Sequence, residues 1–175
     1  LSGKTVGMRK EEVKSMVCST IREILVQTEQ KFGPEDAVRY KVNRDEIETK
    51  SYSQLKKDSE SFSCVLKALG EIGKHVAIIG MTSYPWLVTY FGTVNSGSVA
   101  VPLDVSLPAE ELCELIDRAD VEVLVLDEVR KDVGQIVKKR CQKLKYLISM
   151  QQEEHDDHAY SFWKLLKEQE GSFSC

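Results

Sequence analysis

The chain has 175 residues, with 24 Lys and Arg against 28 Asp and Glu, for a formal charge of −4. Its hydrophobic share is 42% and its charged share 30%, which excludes a disordered chain and fits one globular domain. The mildly acidic balance gives no electrostatic reason to bind nucleic acid, and no apolar run approaches the roughly 20 residues that cross a bilayer.

Residues 1–10 have no apolar stretch and no initiator methionine, so they are expected outside the fold, as a disordered or trimmed end. Residues 11–31 predict an amphipathic helix, because Val13, Met16, Val17, Thr20, Ile21, Ile24 and Leu25 recur at helical steps. Gly33-Pro34 ends it. Residues 37–42 and 46–51 predict a β-hairpin turned by Asn43-Arg44-Asp45. Residues 52–69 predict a second helix, with Tyr52, Leu55, Phe62, Leu66 and Leu69 on one stripe. Then the period changes. Residues 75–80 are a short apolar run, the pattern of a strand buried on both faces. Helices follow at 84–96, 108–119 and 129–140, and strands at 99–102, 121–126 and 145–148. The first of these helices is expected to turn Leu87, Tyr90, Phe91 and Val94 inward, and Pro108 is placed in the first turn of the next. Strands alternating with helices predict an α/β fold, a mostly parallel sheet with flanking helices, preceded by the leading helix and hairpin. Residues 151–158 are an acidic loop, and 160–169 a short helix. The fold therefore occupies residues 11–149, with residues 150–175 as an appended loop and helix.

Few residues offer chemistry. Cys18, Cys64, Cys113, Cys141 and Cys175 form no C-x-x-C pair and are read as structural. The absence of a disulfide framework makes a cytoplasmic setting the default. Gly3-Lys4-Thr5 is the tail of a phosphate-loop pattern without the glycine, strand and helix that a working loop needs. His155 and His158, among Glu153, Glu154, Asp156 and Asp157, could hold a divalent metal, but a solvated acidic loop is the better reading. Gly80-Met81-Thr82-Ser83 joins a buried strand to a helix, where an open parallel sheet can bind a phosphate. Without a glycine fingerprint, Thr82 or Ser83 as an ordinary helix cap fits better. His75 opens a strand with no catalytic partner. Trp86, Tyr90 and Phe91 read as core.

One stretch is more specific. Asn95-Ser96-Gly97-Ser98-Val99-Ala100-Val101-Pro102-Leu103-Asp104, followed by Leu107-Pro108-Ala109-Glu110-Glu111-Leu112, resembles a core motif of the AMP-forming acyl-CoA synthetases. The match looks closest to long-chain fatty acid–CoA ligases of the acyl-adenylating superfamily. Ser51-Tyr52-Ser53-Gln54-Leu55 resembles another family motif, T-Y-x-E-L, with Ser for Thr and Gln for Glu. The resemblance covers roughly residues 20–150. Gly97 is expected to let helix and strand pack closely, and Pro102 to end the strand's donation of hydrogen bonds.

The resemblance implies a parent enzyme that activates a carboxylic, expectedly fatty, acid as its acyl-adenylate with ATP and magnesium, then transfers it to coenzyme A. The family's phosphate loop, magnesium ligand, ribose-binding aspartate and mobile-domain lysine have no match here. The resemblance therefore implies no catalytic, cofactor-binding or metal residue in this chain. It implies a scaffold, with the remainder of its own polypeptide as partner and a small-molecule acid as the parent's substrate. The alternatives are a stand-alone flavodoxin-like or Rossmann-like nucleotide-binding module, or a catalytically dead relative kept for protein contacts.

Overall fold

The computed structural model describes residues 18–41 and 47–169. Gly3-Lys4-Thr5, Val13 to Val17, the Asn43–Asp45 turn and Cys175 lie outside the described residues.

Helix α1 (Ile21–Phe32) begins where Thr20 caps it by accepting the Glu23 amide. Thr20 was expected on the helix's apolar face; its hydroxyl instead supplies the N-cap. Strands β1 (Asp36–Lys41) and β2 (Ile47–Ser51) form the antiparallel hairpin. Helix α2 (Tyr52–Ala68) starts at Ser51, whose Oγ accepts the Gln54 amide at 3.2 Å. The Ser51 and Gln54 departures from the family motif thus keep the cap that such a motif supplies. The second half of α2 is buried all round, from Ser61 to Leu66.

The main sheet holds β3 (His75–Ile79), β4 (Val99–Leu103), β5 (Val121–Leu126), β6 (Tyr146–Ser149) and β7 (Tyr160–Ser161). All are parallel, in the order β4-β3-β5-β6-β7. The chain steps from β3 out to β4, then returns past β3 to β5. Right-handed crossovers then place helices on opposite faces. Helix α3 (Tyr84–Asn95) lies with α2 on one face, while α4 (Ala109–Arg118) and α5 (Lys131–Arg140) cover the other. Alternation along β3 serves both: Val76 and Ile78 join the α2 side, Ala77 and Ile79 the α4 side. Helix α6 (Phe162–Glu168) returns to α2, with Phe62 and Phe162 rings 5.7 Å apart.

Five expectations change. A fifth strand, β7, precedes the last helix, so Tyr160 and Ser161 extend the sheet. Pro108 is the N-cap of α4, and a single 3-10 turn (Glu128–Arg130) replaces the first turn expected of α5. Helix α3 buries Tyr84, Val88, Thr89, Gly92 and Thr93, leaving Leu87, Tyr90, Phe91 and Val94 half-buried. The cause is Gly92, where a Cβ would stand 2.6 Å from the Ser59 carbonyl oxygen. Gly92 brings α3 close onto α2, so Leu87 and Val94 stay partly open while Tyr84 is fully buried. Gly97 has the opposite role from that expected: its φ is 77° and nothing lies within 4 Å of a Cβ placed there. It turns the chain into β4, and Gly92 makes the close approach.

Candidate functional site

Open parallel sheets bind ligands beyond the carboxyl ends of their strands, where the strand order reverses. Here that point lies between β3 and β5. Numbered within the main sheet, the order is 2-1-3-4-5, the flavodoxin-like order.

The Gly80–Ser83 turn leaves β3 at this point, and Ser83 caps α3 by accepting the Trp86 amide. Across the crevice stands Asp127, 6% exposed, which no spacing in the sequence singled out. Its backbone amide bonds the Ile79 carbonyl at 2.8 Å. Its Oδ2 accepts the Met81 amide at 3.3 Å and its Oδ1 the Val129 amide at 3.1 Å. A Cβ on Gly80 would sit 2.5 Å from the Asp127 Cβ. The Asp127 carboxylate therefore already takes the Met81 amide that a phosphate at this turn would need. With that amide spent, the turn fits an ordinary helix start better than a phosphate site.

The neighbouring loops are clamped. Arg130 donates to the carbonyls of Val105, at 2.5 Å, and Leu107, at 2.8 Å, and pairs with Asp132. Asp104 accepts the amide and hydroxyl of Ser106, both at 2.8 Å, which holds its carboxyl below the usual range.

The acidic loop is ordered by its own side chains. Asp156 Oδ1 accepts the amides of His158 and Ala159, each at 2.7 Å. His155 Nδ1 accepts the Ser161 amide at 2.9 Å, and its Nε2 faces Glu168 at 3.5 Å. Both nitrogens of His155 are thus engaged, and among the described residues no three or more His, Cys, Asp or Glu side chains are grouped so that they could hold a metal ion.

His75 lies at the opposite end of the sheet, where its Nδ1 meets the Ala119 carbonyl. Near it, Lys145 bridges Glu71 at 3.1 Å and Glu122 at 2.5 Å, and Lys74 reaches Glu122 at 2.9 Å. The two ammoniums hold the Glu122 carboxyl down at about 2. Cys113 and Cys141 are buried, and burial pushes the Cys141 thiol up to about 12. It is inert as a nucleophile. Trp86 and Tyr90 stack at 5.6 Å and, with Phe91, pack half-buried against the core on the α2 side.

These elements have relatives. The D-alanine–D-alanyl carrier protein ligase of Listeria monocytogenes serotype 4b (strain CLIP80459) is 35% identical over 80 residues, 45% of this chain and 16% of the relative. The chain thus spans about a sixth of that ligase's length. Among solved structures, acetoacetyl-CoA synthetase from Streptomyces lividans superposes with a TM-score of 0.76 at 17% identity, over 84% of this chain and 25% of that one. The fatty acyl CoA synthetase of Mycobacterium tuberculosis gives 0.70 at 20% identity, over 85% and 28%. At such identities these two structures establish the fold. The sequence model for AMP-binding enzyme matches residues 26–171. With the resemblance of the 51–55 and 95–112 motifs, this match makes the chain a member of the AMP-binding enzyme family.

Proposed function

We propose that this chain is the first structural unit of an AMP-forming ligase, which activates a carboxylic acid as its acyl-adenylate using ATP and magnesium and passes it to a thiol. The observation that carries the reading is the family match over residues 26–171. The chain's own role is scaffolding, and we assign it no catalytic, cofactor-binding or metal residue. Ser51, Gln54 and Asp58 show the pattern. Gln54 Nε2 donates to Asp58 at 2.7 Å, and the Tyr84 hydroxyl donates to the other Asp58 oxygen at 2.7 Å. The motif that resembles the family's thereby locks α2 to α3. The half-buried face of α3, with Leu87 and Val94, is the surface we give to the remainder of the polypeptide. No helix among the described residues is long and apolar enough to cross a membrane, and a cytoplasmic enzyme fits this reading.

The acceptor is coenzyme A in the first reading, which the resemblance to fatty acid–CoA ligases supports. A second reading has a specific basis: a relative 35% identical over 80 residues of this chain is a D-alanine–D-alanyl carrier protein ligase. An amino acid passed to a carrier-protein thiol would then replace a fatty acid passed to coenzyme A.

The test uses the whole polypeptide encoded by the reading frame that contains this chain. Acid-dependent exchange of labelled pyrophosphate into ATP is measured with octanoate, benzoate and D-alanine. Exchange with one acid supports the reading and chooses between fatty and amino acid. No exchange with any acid overturns it. The chain alone, titrated with ATP and flavin mononucleotide, is expected to bind neither. Tight binding of either would favour the stand-alone nucleotide module.

A further inference from the structure

A cavity of about 690 Å³ opens beyond the carboxyl ends of β5 and β6, between α5 and the 151–159 loop. Its volume falls in the range of small-molecule sites, about 300–1,000 Å³. The floor is apolar, with Leu126, Leu147 and the bare backbone of Gly134. A Cβ on Gly134 would come within 2.9 Å of Leu126 Cδ2 and 3.2 Å of Leu147 Cδ2, so α5 rides close on the sheet and seals the floor.

The charges at the rim are unequal in availability. Lys138 Nζ donates to the carbonyls of Asp157 at 2.9 Å and His158 at 3.1 Å. An ammonium has three N–H groups, so one remains, on a cation pinned by neutral oxygens. No carboxylate neutralises it among the described residues. Lys139 follows it on the same rim with no partner among the described residues. Of the acidic groups on the lining, Glu128 stands beside Lys131 near the start of α5, away from Lys138, and the others are engaged. Glu154 pairs with Lys164, Asp156 accepts two amides, and Asp127 accepts two more. The last turn of α5 carries Lys138, Lys139 and Arg140, more positive charge than the half unit of opposite sign at a helix C-terminus.

We propose that this cavity binds a small organic anion, a carboxylate or phosphate group on an apolar body. The anion meets the free N–H of Lys138 and the charge of Lys139, and the body lies over Leu126, Gly134 and Leu147. The site uses neither the 51–55 nor the 95–112 motif, and its test reads binding rather than adenylation, so its failure and that of the ligase reading are distinguishable.

The experiment titrates the full chain, labelled with nitrogen-15, with naphthalene-2-carboxylate, 2-naphthyl phosphate and the uncharged naphthalene-2-carboxamide. The anions are expected to shift amides of residues 134–139 and 151–159 saturably, with the carboxamide about tenfold or more weaker. Whichever anion binds better identifies the head group. Lys138→Met is expected to weaken anion binding about tenfold and leave the carboxamide unchanged. Lys139→Gln, which touches no loop contact, gives a smaller loss in the same direction, and Lys41→Gln on the distant hairpin gives none. Equal binding of carboxamide and anions, shifts centred elsewhere, or no saturation at millimolar probe would overturn the proposal. If Lys138→Met disorders the loop, Lys139→Gln and the charged-against-neutral comparison still decide.

Discussion

Gly92 and Gly97 lie in neighbouring turns of the chain and answer to different physics. At Gly92 a Cβ would stand 2.6 Å from a backbone oxygen and 2.7 Å from the Phe62 Cβ, and neither atom is the end of a flexible side chain. Gly92→Ala should therefore destabilise the fold by about 1–3 kcal/mol through overpacking. At Gly97 the space is open but φ is 77°. Gly97→Ala should cost about 1–2 kcal/mol through the left-handed backbone alone. Asparagine tolerates that conformation better than alanine does, so Gly97→Asn should recover part of the loss, whereas Gly92→Asn should be worse than Gly92→Ala. Urea denaturation of the four variants checks the pattern. If alanine and asparagine rank the same way at both positions, the distinction between close approach and backbone conformation is wrong. Asp127 belongs to this scale too. A lone aspartate after a strand carries no spacing signal, so its place in the crevice emerges only when β3 and β5 are laid side by side.

At the scale of elements, the amino ends of β3, β5 and β6 are tied by charge. Glu71 is 2% exposed, with one oxygen on Lys145 and the other buried without a partner. The Lys145 side chain is half-exposed, yet it is the counter-charge of a buried carboxylate. Lys145→Met is therefore expected to lower the urea midpoint clearly more than Lys143→Met, whose partner Asp120 lies in solvent. Adding Glu71→Gln to Lys145→Met should restore much of the loss, because it removes the stranded charge. If the double variant is no better than the single one, the buried carboxylate is not the cause. The same cluster sets an acid limit. The Glu122 carboxyl is lowered from 4.5 to about 2 in the fold. A depressed folded value means that its stabilisation is present above the unfolded value and is lost as pH falls through the folded one. The urea midpoint should thus drop as pH falls from about 4.5 to about 2, and Glu122→Gln should flatten that limb. An unchanged slope in the variant would refute the assignment.

The whole molecule shows where sequence patterning succeeds and where it stops. Runs with a clear period, such as residues 121–126 and 52–68, form the expected elements because burial on one or both faces dictates them. Strand β7 has two residues, too few to show any period, and it forms because β6 offers an open edge. The facing of α3 is misread for a related reason. Large apolar side chains suggest the inward face, but Gly92 makes the close contact with α2, and its missing Cβ is what permits it. The cavity on α5 was invisible because its partners for Lys138 are backbone carbonyls, which no residue type announces. The facing of α3 has a consequence for the surface. Leu87 and Val94 are half-buried and belong to neither core cluster, next to the Trp86–Tyr90–Phe91 aromatic group. A contiguous apolar patch of this kind seeks cover. The chain should therefore self-associate as its concentration rises, and sedimentation equilibrium should show it. Leu87→Glu with Val94→Glu should return the monomer while costing about 1–2 kcal/mol of stability, since both side chains are half-buried. A large loss of stability in that variant would place the two side chains inside the core, and a monomeric parent at high concentration would show that the patch needs no partner.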